Sequence, residues 1–190
     1  MKKPSQALLA ELQKQVTYCL QRAQAYQKLP LEVLQWRPAE GKWSALECLE
    51  HLNRYGEIYL QEFYAKIAQA PKQPVAEYKS GWLGNYTANT MLPKPDGSML
   101  KMPALKDKNP LHAKLGQEVV SEFIRQQNEL LIVLEKAASV NLNTVKCKLT
   151  LPLLKFNLGD TLRFIINHQI RHIHQADRVL AAQELGAPSP

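Results

Sequence analysis

The chain has 190 residues, 45% hydrophobic and 22% charged, a balance that suits one globular domain with a sizeable core. No apolar run approaches the roughly 18 residues of a membrane span. The opening MKKPSQALLAELQKQ is broken by Glu11 and Gln13 and has no small-residue cleavage site after it, so it does not read as a secretory signal. The net charge of +7 admits an acidic partner, but the lysines fall singly and in pairs with no arginine-rich run, which reads as solvated surface and not as a nucleic-acid interface.

Leu8, Leu9, Leu12, Val16, Cys19, Leu20 and Ala23 recur at spacings of three and four. They predict a first helix from about Pro4 to Lys28, with Ser5 as its cap and Pro30 as its stop. LPLEVLQWRPAEGKW then carries a short turn and a break at Gly41. A second helix starts at Ser44, where Glu47 three residues on completes a capping box, and ends before Pro71. Its apolar stripe is Leu46, Leu49, Leu52, Tyr55, Ile58, Tyr59, Phe63 and Ile67. From Pro71 to about His112 the helical period disappears, and PDGS within this insert is a turn signal. Trp82, Tyr86, Met91, Leu92, Met99 and Met102 are apolar enough that the insert is expected to pack against something. A third helix follows from about Leu115 to Ala138. Val145, Cys147, Leu149 and Leu151 alternate, as in a short strand. A fourth helix begins at Asn157 with Asp160 in its first turn, and Gly186 followed by Pro188 ends it near Leu185. The expected fold is all-α: a four-helix bundle spanning 1–190 as one domain, with a long irregular insert at about 71–112 between the second and third long helices.

His168 and His172 are four apart, which puts both imidazoles on one helix face, within reach of a single divalent ion. His174 points elsewhere and is expected to be exposed. His51, in ALECLEHLNRY, lies beside the buried stripe of the second helix and supplies a third imidazole. Three histidines facing a bundle interior make a tripod that leaves a coordination position for water or substrate. The plainer reading is three polar residues satisfied locally, and spacing alone leaves both open. Gln175, seven residues after His168, is a candidate to orient a ligand. Glu47, a turn before His51, could accept an imidazole N–H or act as base, although capping is the simpler role. Tyr55, a turn after His51, reads as core or as an acid. Lys94, Lys101, Lys106 and Lys108 make the insert basic, which suits an anionic substrate or simply a soluble loop. Cys19, Cys48 and Cys147 are odd in number and far apart, as expected of free thiols in the cytoplasm.

WRPAEGKWSALECLEHLNRY resembles a signature of the DinB-like (DinB/YfiT) superfamily, in which a Trp-Ser pair opens the second helix and a His follows seven residues after the Ser. Here these are Trp43, Ser44 and His51. LPLLKFNLGDTLRFIINHQIRHIHQADRVL resembles the carboxy-terminal signature His-x-x-x-His-x-x-Gln, here His168, His172 and Gln175. The resemblance spans nearly the whole chain. It implies a four-helix bundle with a three-histidine divalent metal site, often zinc or nickel, and commonly a homodimer. Characterised members include transferases and isomerases that use low-molecular-weight thiols such as bacillithiol or mycothiol. The expectation is therefore a metal-dependent enzyme, a thiol-dependent transferase of small electrophiles. The alternatives are a metal-dependent hydrolase and a non-catalytic bundle that binds a ligand or partner. A small-molecule substrate is expected, with no nucleic acid and no membrane. The 71–112 insert lies outside the shared signatures, so the substrate class does not carry over.

Overall fold

A computed structural model describes residues 1–94, 98–150 and 154–186. In chain order the helices are α1 (Ser5–Tyr26), α2 (Leu31–Gln35), α3 (Ala45–Gln69), α4 (Trp82–Thr90), α5 (Glu118–Ala137) and α6 (Leu158–Glu184). The four long ones form the bundle: α3 packs on α5 and α6, and α1 packs on the same two. Two antiparallel ribbons brace one end of it, joined through Asn143 and Asn157 to the Lys79 main chain. β1 (Lys2–Pro4) pairs with β2 (Glu77–Lys79), and β3 (Lys146–Lys148) pairs with β4 (Lys155–Asn157).

The starts of α3 and α6 follow the local chemistry. Ser44 Oγ accepts from the Glu47 amide and the Glu47 carboxylate accepts from the Ser44 amide. Asn157 caps α6 through the Asp160 amide. These bonds satisfy N–H groups that the first helical turn leaves without partners. Ser5, by contrast, is not a cap. Pro4 takes that position because β1 runs up to it, and Ser5 makes no capping bond with its side chain. The alternation around Cys147 does form a strand, β3, with Cys147 buried. The PDG of the turn signal, Leu151 and Pro188 lie outside the described residues.

The core divides in two. Leu8, Leu12, Tyr59, Phe63, Leu130, Leu134, Leu162 and Ile166 pack in one cluster, and Cys19, Leu46, Leu49, Leu52, Phe123 and Ile173 in another. Burial of each such side chain contributes roughly 1.5–3 kcal/mol. Between the clusters lies a layer of buried polar residues: His51 and Asn53 on α3, Gln126 and Gln127 on α5, and Asn167, His168, Gln169 and His172 on α6. Ile58, part of the apolar stripe in sequence, is exposed.

The insert is more ordered than its sequence predicts. It contains β2, α4 and a single 3-10 turn at Lys106–Lys108. α4 has little helical pattern of its own and is fixed by α6. Arg163 Nη1 and Nη2 donate to the side-chain oxygens of Asn85 and Asn89 at 3.0 and 2.9 Å, and Asn167 Nδ2 donates to the Ala88 carbonyl at 2.9 Å. The Asp160 carboxylate accepts from Tyr78, from Ser80 and from the Gly81 amide. Trp82 and Tyr86 stay outside this packing, exposed on the outer face of α4.

Gly84 makes the docking possible, because a Cβ there would stand 2.4 Å from Asp160 Cγ. Gly84→Ala is expected to lower stability by roughly 1–3 kcal/mol, as overpacking does. Thermal denaturation checks this, and an unchanged midpoint would mean that α4 is not seated on α6 as described.

Candidate metal centre

His51, His168 and His172 meet where the polar layer crosses the bundle. Their candidate ligand nitrogens all lie within 4.8 Å of one another, and all three residues are buried. Helix periodicity puts His168 and His172 one turn apart on the inner face of α6, and the capping box sets the register that turns His51 inward from α3.

The surrounding bonds fix which nitrogens face inward. His51 Nδ1 donates to the Lys108 backbone carbonyl at 2.8 Å, and His172 Nδ1 donates to Gln175 Oε1 at 3.0 Å. Neither oxygen can donate, so each of these imidazoles keeps its lone pair on Nε2. His51 Nε2 stands 3.2 Å from His168 Nε2. Ligand nitrogens around a tetrahedral zinc ion stand roughly 3.3 Å apart, given Zn–N lengths of about 2.0–2.1 Å. Burial pushes His51 down to about 4, and burial, with the neighbouring His51 ring and the Arg171 charge both opposing a second proton, pushes His168 down to about 3. Burial also holds His172 well below the ordinary histidine range. All three are neutral at pH 7, the form in which imidazole ligates a metal. The donor set fits a divalent ion such as zinc or nickel.

A cavity of about 540 Å³ opens beside the imidazoles. Trp43 packs over His51 and His172, with ring centroids 4.7 and 5.6 Å apart, and Phe164 stacks on His168. The insert supplies Met91, Met102 and Leu105 to the same wall. No acidic residue lines the cavity among the described residues.

The other candidates fall in different places. Gln175 touches His172, not His168. Tyr55 packs its ring 5.0 Å from both His51 and His168, and burial raises its hydroxyl to about 12, so it stays protonated. Glu47 makes no bond to His51. Its oxygens accept from Arg37 at 2.8 and 2.9 Å, from the Ser44 amide and from the His112 amide at 2.9 Å. His174 is half-buried, not exposed, and stands outside the histidine group. None of Lys94, Lys101, Lys106 and Lys108 lines the cavity, although the Lys108 main chain serves it. The cysteines are free and buried, and none lines the cavity. No described helix is long and apolar enough to cross a membrane.

Sequence reasoning missed Arg171, which lines the cavity, and the Lys108 carbonyl. Arg171 was within reach, since it lies three residues after His168 on the same helix face. The carbonyl leaves no mark in the sequence.

The fold and site together define a helical bundle with three imidazoles converging beside a cavity. A family model of the DinB superfamily matches residues 21–176, and the chain belongs to that superfamily. No curated protein and no solved structure matches it.

Glu47 ties α3 to the segment before it and to the end of the insert, and generates a pH prediction. Burial alone would raise its carboxyl, but Arg37 and the Ser44 and His112 amides outweigh burial and hold it below the ordinary range. A carboxyl lowered by folding stabilises above its unfolded value of about 4.3 and loses that contribution as pH falls through the folded value. Glu47→Gln should therefore be less stable than wild type by roughly 2 kcal/mol at pH 7. The gap should close in strong acid, where Glu47 is itself protonated. Urea denaturation at neutral and acid pH tests this, and a pH-independent gap contradicts it.

Proposed function

We propose that the chain is a divalent-metal-dependent enzyme in which His51, His168 and His172 hold the ion, with zinc or nickel as the metal. The observation that carries this reading is the convergence of three buried, neutral imidazoles on the wall of a cavity large enough for a small molecule. Three protein ligands are one fewer than a closed structural zinc site uses. When bound, such an ion supplies Lewis acidity, lowering the pKa of a thiol or water or polarising a carbonyl.

The chain's own residues position and desolvate. The Lys108 carbonyl and Gln175 orient the His51 and His172 rings. Trp43, Phe164 and the insert's Met91 and Met102 keep bulk water from the substrate.

Within this reading we favour transfer of a low-molecular-weight thiol to a small electrophile. The absence of a carboxylate from the described cavity lining supports it over hydrolysis. Water needs a base to take its proton, whereas a thiol, with an ordinary pKa of about 8.5, loses its proton readily. Residues 1–190 act as one domain, in the cytoplasm, where the free cysteines stay reduced. We further propose a homodimer. Trp82 and Tyr86 supply exposed apolar surface to it, and sedimentation of wild type against Trp82→Ser should show a shift toward monomer.

Protein purified without a polyhistidine tag should carry about one divalent ion per chain, the stoichiometry of a single three-ligand site. His168→Ala/His172→Ala should carry none, by elemental analysis. Chelation should lower the thermal midpoint of wild type but not of the double variant. Metal-loaded wild type should consume thiol in the presence of small electrophiles, and His51→Ala should not. Failure to take up metal under any loading condition overturns the metal reading. Metal uptake without turnover across a thiol and electrophile panel favours the binding bundle.

A further inference from the structure

Arg171 is a buried cation without an acid. It is 7% exposed, and it forms no ion pair among the described residues. Nη2 donates to the Leu100 carbonyl, and Nη1 has no hydrogen-bond partner among the described residues. Nothing acidic in the described lining answers its charge, and the other cation of that wall, Lys42, lies on an exposed residue at the rim. A buried guanidinium left unpaired costs several kcal/mol by rough estimate, so such a group ordinarily has a partner. Here the missing partner is an anion that the described residues do not supply.

The rest of the wall limits what that anion is. Trp43, Phe164, Met91 and Met102 make the cavity apolar. A dianionic phosphate needs more donors than one guanidinium with a single uncommitted terminal nitrogen. A monoanionic carboxylate on an apolar stem matches both the charge and the lining, and one charge-assisted hydrogen bond from Nη1 satisfies it. His168, Arg171 and His172 share one face of α6, so an acid seated on Arg171 lies beside the imidazoles.

We propose that Arg171 binds the carboxylate of the substrate, so that the cavity selects small apolar acids. The proposal rests on reading the cavity as the substrate site and deepens it by naming the substrate class.

Calorimetric titration of the full chain with 4-phenylbutyrate and with 4-phenylbutyramide tests it, since the two probes differ in charge and little in shape. Wild type should bind the acid roughly ten- to a hundredfold more tightly than the amide, as expected of a charge-assisted hydrogen bond. Arg171→Gln should bind the two equally, and Arg171→Lys should keep part of the preference. Circular dichroism checks that the variants fold; if Arg171→Gln does not, Arg171→Lys and the wild-type comparison decide. A carboxylate also ligates cations, so each titration is run on protein as isolated and after chelator treatment. Preference that survives chelation and is lost in Arg171→Gln supports the proposal. Equal binding of acid and amide by wild type, no binding of the acid, or a preference that Arg171→Gln retains overturns it. A preference intact in protein that takes up no metal would sink the metal reading alone.

Discussion

Three imidazoles lie in the middle of a hydrophobic bundle, and much of the architecture answers that burial. A polar group taken from water without a hydrogen bond costs several kcal/mol. The Lys108 carbonyl and Gln175 take the His51 and His172 N–H groups, and at this level a layer of polar side chains from α3, α5 and α6 interrupts the core. Asn53 donates to the Val119 carbonyl, and Gln126 donates to the Asn53 carbonyl, so α5 is tied to α3 near the level of His51. α1 joins through Gln15, which donates to Asn167. The apolar clusters on either side supply the packing energy, and the layer between them sets the register of the helices.

The insert is part of the same solution. An imidazole ring facing solvent would hydrate, and the loop that covers these rings also bonds to one of them, His51. α6 is committed at its amino-terminal end to the insert, through Asp160, Arg163 and Asn167, and further along to the imidazoles. One helix therefore presents the site and anchors its cover, and the two cannot be displaced independently.

The long helices, two of their caps and the His168–His172 pair could be read from local periodicity or from spacing along a single helix, whereas spacing left the place of His51 open and the resemblance to the DinB-like signatures supplied it. What could not be read depends on distant partners. α4 is short and carries Gly, Asn and Thr in place of an apolar stripe, so its helix exists because Arg163 and Asn167 bind it. Ser5 lost the cap to Pro4 because β1 pairs with residues more than seventy positions away. The face Arg171 shares with His168 is legible in spacing, but its burial is not, since an arginine on a helix is ordinarily solvated. Glu47 and Asp160 both sit at helix starts, where sequence accounts for their capping roles. Their further bonds, to Arg37 and His112 and to Tyr78 and Ser80, are long-range.

The orientation of His51 is set by main chain. The Lys108 carbonyl that accepts from its Nδ1 is present whatever side chain occupies position 108. Mutational drift at that position leaves the contact intact as long as the 106–108 turn keeps its shape. What this point of the site depends on is a backbone conformation and not a side chain. Conversely, a deletion within the 106–108 turn, with no histidine touched, would take the acceptor away from the ring.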